Sequence, residues 1–164
     1  MLIKKLAVAS AAALACAGAF ADDVNVTNID LSSSTAFFGA LHWATGAFTD
    51  TFSFINAPAL SDASASLVTI DLGAKHIEFT SADLNGNALT LTAPGVFQFG
   101  GGSWSSLAGP YMLTVNGMAS GVSNGVAHSY SGTMNVVAVP EPETYALMLA
   151  GLGALGFMAR RRKV

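Results

Sequence analysis

The sequence predicts an all-β body, an antiparallel β-sandwich or open barrel of about seven to nine strands. An N-terminal signal helix and a C-terminal transmembrane helix are expected to flank it. Three observations lead to this prediction. Short alternating runs of apolar and polar residues recur along residues 22–138, with Gly, Asn, Ser and Pro between them. No convincing amphipathic helix interrupts them, and each end of the chain carries an apolar run beside basic residues.

Residues 1–21 have the three parts of a secretory signal peptide. Two lysines precede an alanine-rich apolar run, and Ala19 and Ala21 form a small-x-small cleavage site. We expect cleavage after Ala21, so that the body begins at Asp22. The single cysteine, Cys16, would then be removed, which leaves a body without disulfide bonds.

The body at residues 22–138 shows its strands by a period of two. Residues 48–54 alternate Phe or Asp with Thr or Ser, and residues 67–72 are β-branched and apolar. Asn85-Gly86 between two alternating runs predicts a hairpin, because both residues accept the positive φ of a tight turn. A flexible loop is expected to begin at residues 100–103, and residues 32–47 stay open between strand, helix and loop.

The body is acidic. Residues 22–138 hold eight acidic residues and one lysine, so their net charge is −7, against −3 for the whole chain. Nucleic acid and anionic membrane surfaces are therefore poor partners for the body.

Residues 139–164 combine a proline-acid pair, an uncharged run and a basic end. Pro140 and Pro142, on either side of Glu141, favour an extended entry. As a helix, residues 144–159 reach about 24 Å, just short of a hydrocarbon core of about 30 Å. This predicts a short, weakly held transmembrane helix whose cytoplasmic side is marked by Arg160, Arg161, Arg162 and Lys163.

This order of parts resembles the PEP-CTERM sorting signal of Gram-negative envelope proteins, with Pro140, Glu141 and Pro142 as its Pro-Glu-Pro. The resemblance implies that an exosortase-type enzyme of the inner membrane recognises the motif, removes the tail and passes the body to the cell surface. Such proteins usually come from organisms that make exopolysaccharide. A simple tail anchor is the alternative, and its apolar segment would be retained.

The body is also similar to the FxDxF subgroup of sorted proteins, through Phe48, Asp50 and Phe52. That subgroup is named for its pattern and has no activity to transfer. On a strand the three side chains share one face, which places a carboxylate among aromatic rings. We expect Asp50 to accept backbone or hydroxyl hydrogen bonds, or to organise a turn at a strand end. The alternative is a Ca²⁺ or sugar ligand.

Two further patterns resemble catalytic or metal sites. Ser123 lies in a Gly-x-Ser-x-Gly pattern, but no helix follows it and no Asp lies between it and the tail, so a turn is the better interpretation. The histidines His42, His76 and His128 look isolated. His76 shares a strand face with Glu78, which predicts a surface pair rather than a metal site.

These features predict an exported, surface-destined protein without catalytic activity, cofactor or metal. Its partners would be the exosortase-type enzyme, the inner membrane for a time, and exopolysaccharide or biofilm matrix. The alternative function is a carbohydrate-binding module for matrix polysaccharide, in which Trp43 and Trp104 could stack on sugars. A core or loop-anchoring role is equally compatible with both tryptophans.

Overall fold

The body is a sandwich of two five-stranded sheets, followed by one helix. The computed structural model describes residues 21–71, 75–121, 127–140 and 142–161. Within these ranges the sheets do not close into a barrel, so the sandwich is the predicted alternative that is found. The elements are β1 (Asn25–Asp30), β2 (Thr35–His42), β3 (Gly46–Ile55), β4 (Leu60–Ile70), β5 (Lys75–Leu84), β6 (Asn87–Ala88), β7 (Thr90–Leu91), β8 (Phe97–Ala108), β9 (Tyr111–Gly121), β10 (His128–Ala138) and α1 (Pro142–Arg161).

Sheet A has the order β1-β3-β9-β5-β6, and sheet B has the order β2-β10-β4-β8-β7. The prediction of a wholly antiparallel sandwich is wrong at one edge, where β1 and β3 run parallel. The reason is the connection between them. The chain leaves sheet A after β1, forms β2 in sheet B and returns as β3, and such a crossover brings two strands of one sheet into the same direction.

The core lies between the sheets and follows the alternation of the strands. In β3 every second side chain from Gly46 to Phe54 is buried, and in β4 the same holds from Ser61 to Thr69. Phe52, Leu113 and Met134 are completely buried. Burying side chains of this size stabilises the fold by about 1.5–3 kcal/mol each.

The Asn85-Gly86 hairpin is confirmed. Asn85 has φ 51° and Gly86 has φ 79°, as a tight turn with two left-handed residues requires. The turn joins β5 to β6, where Leu84 pairs with Asn87. The Asp83 carboxylate accepts a hydrogen bond from the Gly86 backbone N–H at 2.9 Å, which further stabilises the turn.

The glycines of residues 100–103 do not begin a loop. They lie inside β8, where Gly100, Gly101 and Gly102 pair with Leu67, Ser66 and Ala65. A Cβ atom on Gly100 would come within 2.7 Å of the Leu91 side chain and 2.9 Å of the Leu67 side chain. Gly100 and Gly102 provide space for the side chains of Leu91, Leu67 and Trp104, so the prediction of a flexible loop is wrong.

Residues 32–47, left open by the sequence, form a turn and then strand β2. The turn is held by the Asp30 carboxylate, which accepts from the backbone N–H and the hydroxyl of Ser32. Ser34 takes the positive φ of 66° that reverses the chain. From Thr35 onward the strand pairs with β10 along its whole length.

The C-terminal helix forms where it was predicted, but the prediction that it spans a membrane is not supported. Among the described residues, none of the helices combines the length and the apolar character that a membrane crossing needs. Glu143 and Arg160 bound an uncharged run that reaches only about 24 Å. Side chains along α1 from Glu143 to Arg161 are exposed, so the helix is not an element of the core.

We predict that Gly132→Ala destabilises the protein by about 1–3 kcal/mol, as overpacking does in close-packed cores. Gly132 lies opposite Phe38, and a Cβ atom there would overlap the Phe38 ring and the Ser66 carbonyl oxygen. Gly101→Ala is the matched control, because its nearest neighbour would be 3.7 Å away. Urea unfolding of both variants measures the difference. Equal midpoints for the two would contradict the packing argument.

Candidate functional site

The sorting motif lies at the junction between the last strand and the helix. The Val139 backbone N–H donates to the Leu60 carbonyl at 3.2 Å, and Pro140 follows it with an exposed side chain. Glu141 lies outside the described residues. Pro142 begins α1, so the prediction of an extended entry is wrong at this residue, because the fixed φ of proline suits the first turn of a helix. The body's last strand has ended before the motif begins. An enzyme could therefore bind this junction without unfolding either sheet of the sandwich.

Opposite charges bracket α1. Glu143 is in the first turn, and Arg160 and Arg161 are in the last, an arrangement that complements the helix dipole. The Arg161 guanidinium lies 5.7 Å from the centre of the Phe157 ring. Arg162 and Lys163, the other two residues of the predicted orientation signal, lie outside the described residues.

The predicted N-terminal cleavage site is only partly described. Ala19 lies outside the described residues. Ala21 is buried, and its backbone N–H donates to the Ala47 carbonyl at 2.9 Å. Cleavage after Ala21 stays a prediction. A peptidase needs an extended, accessible segment, so this cleavage would have to precede the folding of this part of the body.

Phe48, Asp50 and Phe52 share the inner face of β3, as their spacing predicts. Asp50 is completely buried. Its carboxylate accepts hydrogen bonds from the Val24 backbone N–H at 2.8 Å and from the Tyr130 hydroxyl at 2.6 Å. The expectation that Asp50 accepts backbone and hydroxyl hydrogen bonds is thus confirmed.

His42 completes this cluster, although the sequence suggested an isolated residue. Its Nε2 lies 2.9 Å from Asp50 Oδ2, and its Nδ1 lies 2.9 Å from the carbonyl oxygen of Asp22. A carbonyl only accepts, so His42 Nδ1 donates in its contact with Asp22. We call His42, Asp50 and Tyr130 the buried triad.

Aromatic rings enclose the buried triad. The Phe48 ring stacks on the His42 ring with centroids 4.1 Å apart. Phe52 and Phe79 meet the Tyr130 ring edge to face. Burial, and secondly the Asp50 carboxylate, raise the pKa of Tyr130 far above its ordinary value, so its hydroxyl remains a donor.

The triad joins both sheets and the N-terminal segment. Asp50 belongs to sheet A, whereas His42 and Tyr130 belong to sheet B, and Val24 precedes β1. Its members have the types found in acid-base relays, but the carboxylate has no exposed surface on which a substrate could bind. The geometry therefore favours a structural role over the Ca²⁺ or sugar ligand considered from the sequence.

Part of the buried triad could be predicted from the sequence, namely the inward-pointing carboxylate of Asp50. An inward-pointing carboxylate on a strand requires donors, and its neighbours in space must supply them. The identity of these donors depends on the pairing of β2, which carries His42, with β10, which carries Tyr130. No sequence spacing relates the two residues.

The other candidate residues lie apart from the triad. His76 contacts the Asp71 carboxylate, and its Nε2 is 3.8 Å from Glu78 Oε2, so the predicted His76–Glu78 pair is present at the surface. Trp43 is exposed, whereas Trp104 is half-buried against Gly102. Ser123 lies outside the described residues.

We predict that Asp50→Ala destabilises the protein by about 3–5 kcal/mol, because it leaves a buried histidine, hydroxyl and N–H without their shared acceptor. Asp62→Ala is the control, since that exposed carboxylate accepts one bond, from the Ser106 backbone N–H. Its loss costs about 1 kcal/mol or less. Denaturant unfolding compares the two. A variant of Asp50 as stable as the control variant would refute the structural role.

Comparison with known proteins identifies the tail. Residues 138–163 match the PEP-CTERM protein-sorting motif. The match covers the tail alone, and the similarity of the body to the FxDxF subgroup stays a prediction. Among curated proteins, none is similar enough in sequence to this chain to count as a match.

Three solved structures resemble the fold distantly. The pre-peptidase C-terminal domain of a Bacillus anthracis collagenase is 12% identical, covers 70% of this chain and 95% of its own, and has a TM-score of 0.34. PliG from Aeromonas hydrophila, a periplasmic inhibitor of g-type lysozyme, is 7% identical over 71% of this chain and 100% of its own, with a TM-score of 0.33. PliG from Salmonella Typhimurium, also a periplasmic inhibitor of g-type lysozyme, is 14% identical over 71% and 99%, with a TM-score of 0.27. These likenesses are too weak to support an argument about function.

Proposed function

We propose that the chain is an exported protein of the cell surface or extracellular matrix, sorted by an exosortase-type enzyme through its C-terminal tail. The match of residues 138–163 to the PEP-CTERM motif carries this proposal. The enzyme would hold the chain at the inner membrane through the tail, cut near the Pro-Glu-Pro and release the body outward. Exopolysaccharide or biofilm is the setting in which we expect the body to act.

The junction supports this order of events. Pro140 is exposed, and the last strand has ended at Ala138. Removing everything after the motif leaves both sheets complete. The basic end, from Arg160 onward, would stay on the cytoplasmic side, since guanidinium groups are costly to move into lipid.

We further propose that the body is not an enzyme. Its carboxylates support this, because most accept hydrogen bonds from the body's own backbone. Asp23 accepts from Thr49, Asp62 from Ser106 and Asp83 from Gly86. Hydrogen bonds from Asn56 and Ser32 lower the pKa of Asp30, which holds a turn. Carboxylates that hold the backbone in this way have a structural role.

We predict that replacing Pro140, Glu141 and Pro142 with alanine blocks removal of the tail. Alanines allow the helix to extend toward the body and remove the extended entry that the enzyme grips. The intact mass of the protein from the envelope of a host with the enzyme measures the result. Pro94→Ala, in an exposed loop, is the control and should be processed normally. Normal processing and surface display of the alanine variant would refute the sorting proposal.

The carbohydrate-binding function is the second candidate, and the outer face of sheet B favours it. An open groove of about 450 Å³ runs between the exposed rings of Phe37 and Phe99. Ser66, Ser131 and Thr133 lie on its floor. Apolar walls suit the C–H faces of sugars, and hydroxyl groups suit their polar edges.

We predict that Phe37→Ala with Phe99→Ala lowers the affinity for host exopolysaccharide by at least about tenfold, through lost stacking. Titration calorimetry of the full chain in detergent measures the affinity. Met112→Ala is the control, because Met112 is an apolar side chain on sheet A that is 49% exposed, close to the 51% of Phe99. Unchanged binding in the double variant, or no binding by the wild type, would exclude this groove as a polysaccharide site.

A further inference from the structure

The first strand of the body contains an acceptor sequence for N-glycosylation, Asn25-Val26-Thr27. In this sequence the sugar joins the side-chain amide of the asparagine, a Ser or Thr stands two residues later, and the residue between them is not proline. None of the other asparagines in the sequence has a Ser or Thr at that distance. The sequence therefore offers a single acceptor, and its accessibility depends on the fold.

Strand β1 turns both groups of this acceptor toward solvent. Residues two apart in a strand point to the same side, and the side chains of Asn25 and Thr27 are both exposed. Val26 between them is half-buried and lines an apolar cleft of about 300 Å³ between β1 and β2. The valine thus anchors the segment, while the amide and the hydroxyl stay accessible to an enzyme.

The position of β1 leaves room for a bulky group. Among the described strands β3 is its only partner, so β1 is an edge of sheet A. Its register breaks between Val26 and Ile29, where Asn28 has a φ of 63°. An oligosaccharide on Asn25 would leave both sheets and the core unchanged. It would also cover the backbone groups of this edge, which proteins shield from pairing with another chain.

We propose that Asn25 is N-glycosylated by an oligosaccharyltransferase whose donor is an oligosaccharide on a lipid pyrophosphate. The Asn25 amide nitrogen forms a bond to the anomeric carbon of the first sugar, and the bond from that carbon to the phosphate oxygen breaks. The lipid pyrophosphate leaves with the electron pair, and one amide proton passes to a base of the enzyme. This inference goes beyond the sorting function and rests on it only for export of the body.

Asp23 adds a negative charge two residues before the acceptor. The side chains of Asp23, Asn25 and Thr27 are all exposed, whereas those of the residues between them are half-buried. In the folded body the Asp23 carboxylate accepts from the Thr49 backbone N–H at 2.8 Å. During export this segment emerges before Thr49 does, so the carboxylate is then available to the enzyme. We therefore include this charge in the recognised sequence, as an ionic contact for the enzyme.

Mass spectrometry of the protein from the envelope of its native host tests the modification. We expect the N-terminal peptide of the body to carry an oligosaccharide on Asn25. Asn25→Gln and Thr27→Val should abolish it, whereas Thr27→Ser keeps the hydroxyl and should retain it. Asn28→Gly is the matched control, because it removes an exposed asparagine of the same strand and glycine accepts the positive φ. An unmodified wild type, or a sugar that survives Thr27→Val, would overturn the proposal.

Two comparisons separate this site from folding and from sorting. Asp23→Asn keeps an oxygen for the Thr49 N–H and removes only the charge, so the folded body is retained and most of the sugar should be lost. Asp22→Asn removes the neighbouring charge and should be fully glycosylated. Full glycosylation of Asp23→Asn would refute the recognition of that charge. Tail removal with an unmodified Asn25 refutes glycosylation alone, whereas a retained wild-type tail with a modified Asn25 refutes sorting alone.

Discussion

The buried carboxylate of Asp50 is the constraint on which the body depends. An ionised group without solvent is costly unless several donors surround it, and three separate parts of the chain supply those donors. Val24 comes from the N-terminal segment, His42 from β2 and Tyr130 from β10. The triad therefore holds both sheets and the start of the chain in one arrangement. It also explains why Phe, Asp and Phe recur with a period of two, because each must face inward on β3.

The body and the C-terminal helix differ in how they bury their apolar side chains. The body has an apolar core between its two sheets. The helix that follows leaves its apolar side chains exposed from end to end, so its own fold provides no partner for them. The PEP-CTERM motif matches this part of the chain, and we propose that it serves in processing.

Charged and apolar side chains are distributed unevenly over the surface of the body. Asp30 and Asp83 hold turns, whereas the outer face of sheet B carries the exposed apolar side chains of Phe37, Leu41 and Phe99 together with the carboxylate of Asp62. The groove between Phe37 and Phe99 and the cleft between β1 and β2 share Phe37.

The sequence by itself determined what depends on near neighbours. The alternation of β3, the Asn85-Gly86 turn, the inward position of Asp50 and the parts of the sorting tail all follow from local spacing and residue chemistry. Only the tertiary structure decided the parallel pairing of β1 with β3, the strand through Gly100 and Gly102, and the union of His42 with Asp50 and Tyr130. These depend on which strands become neighbours across the sandwich, and the sum of many weak packing contacts sets that choice, not any single stretch of the chain.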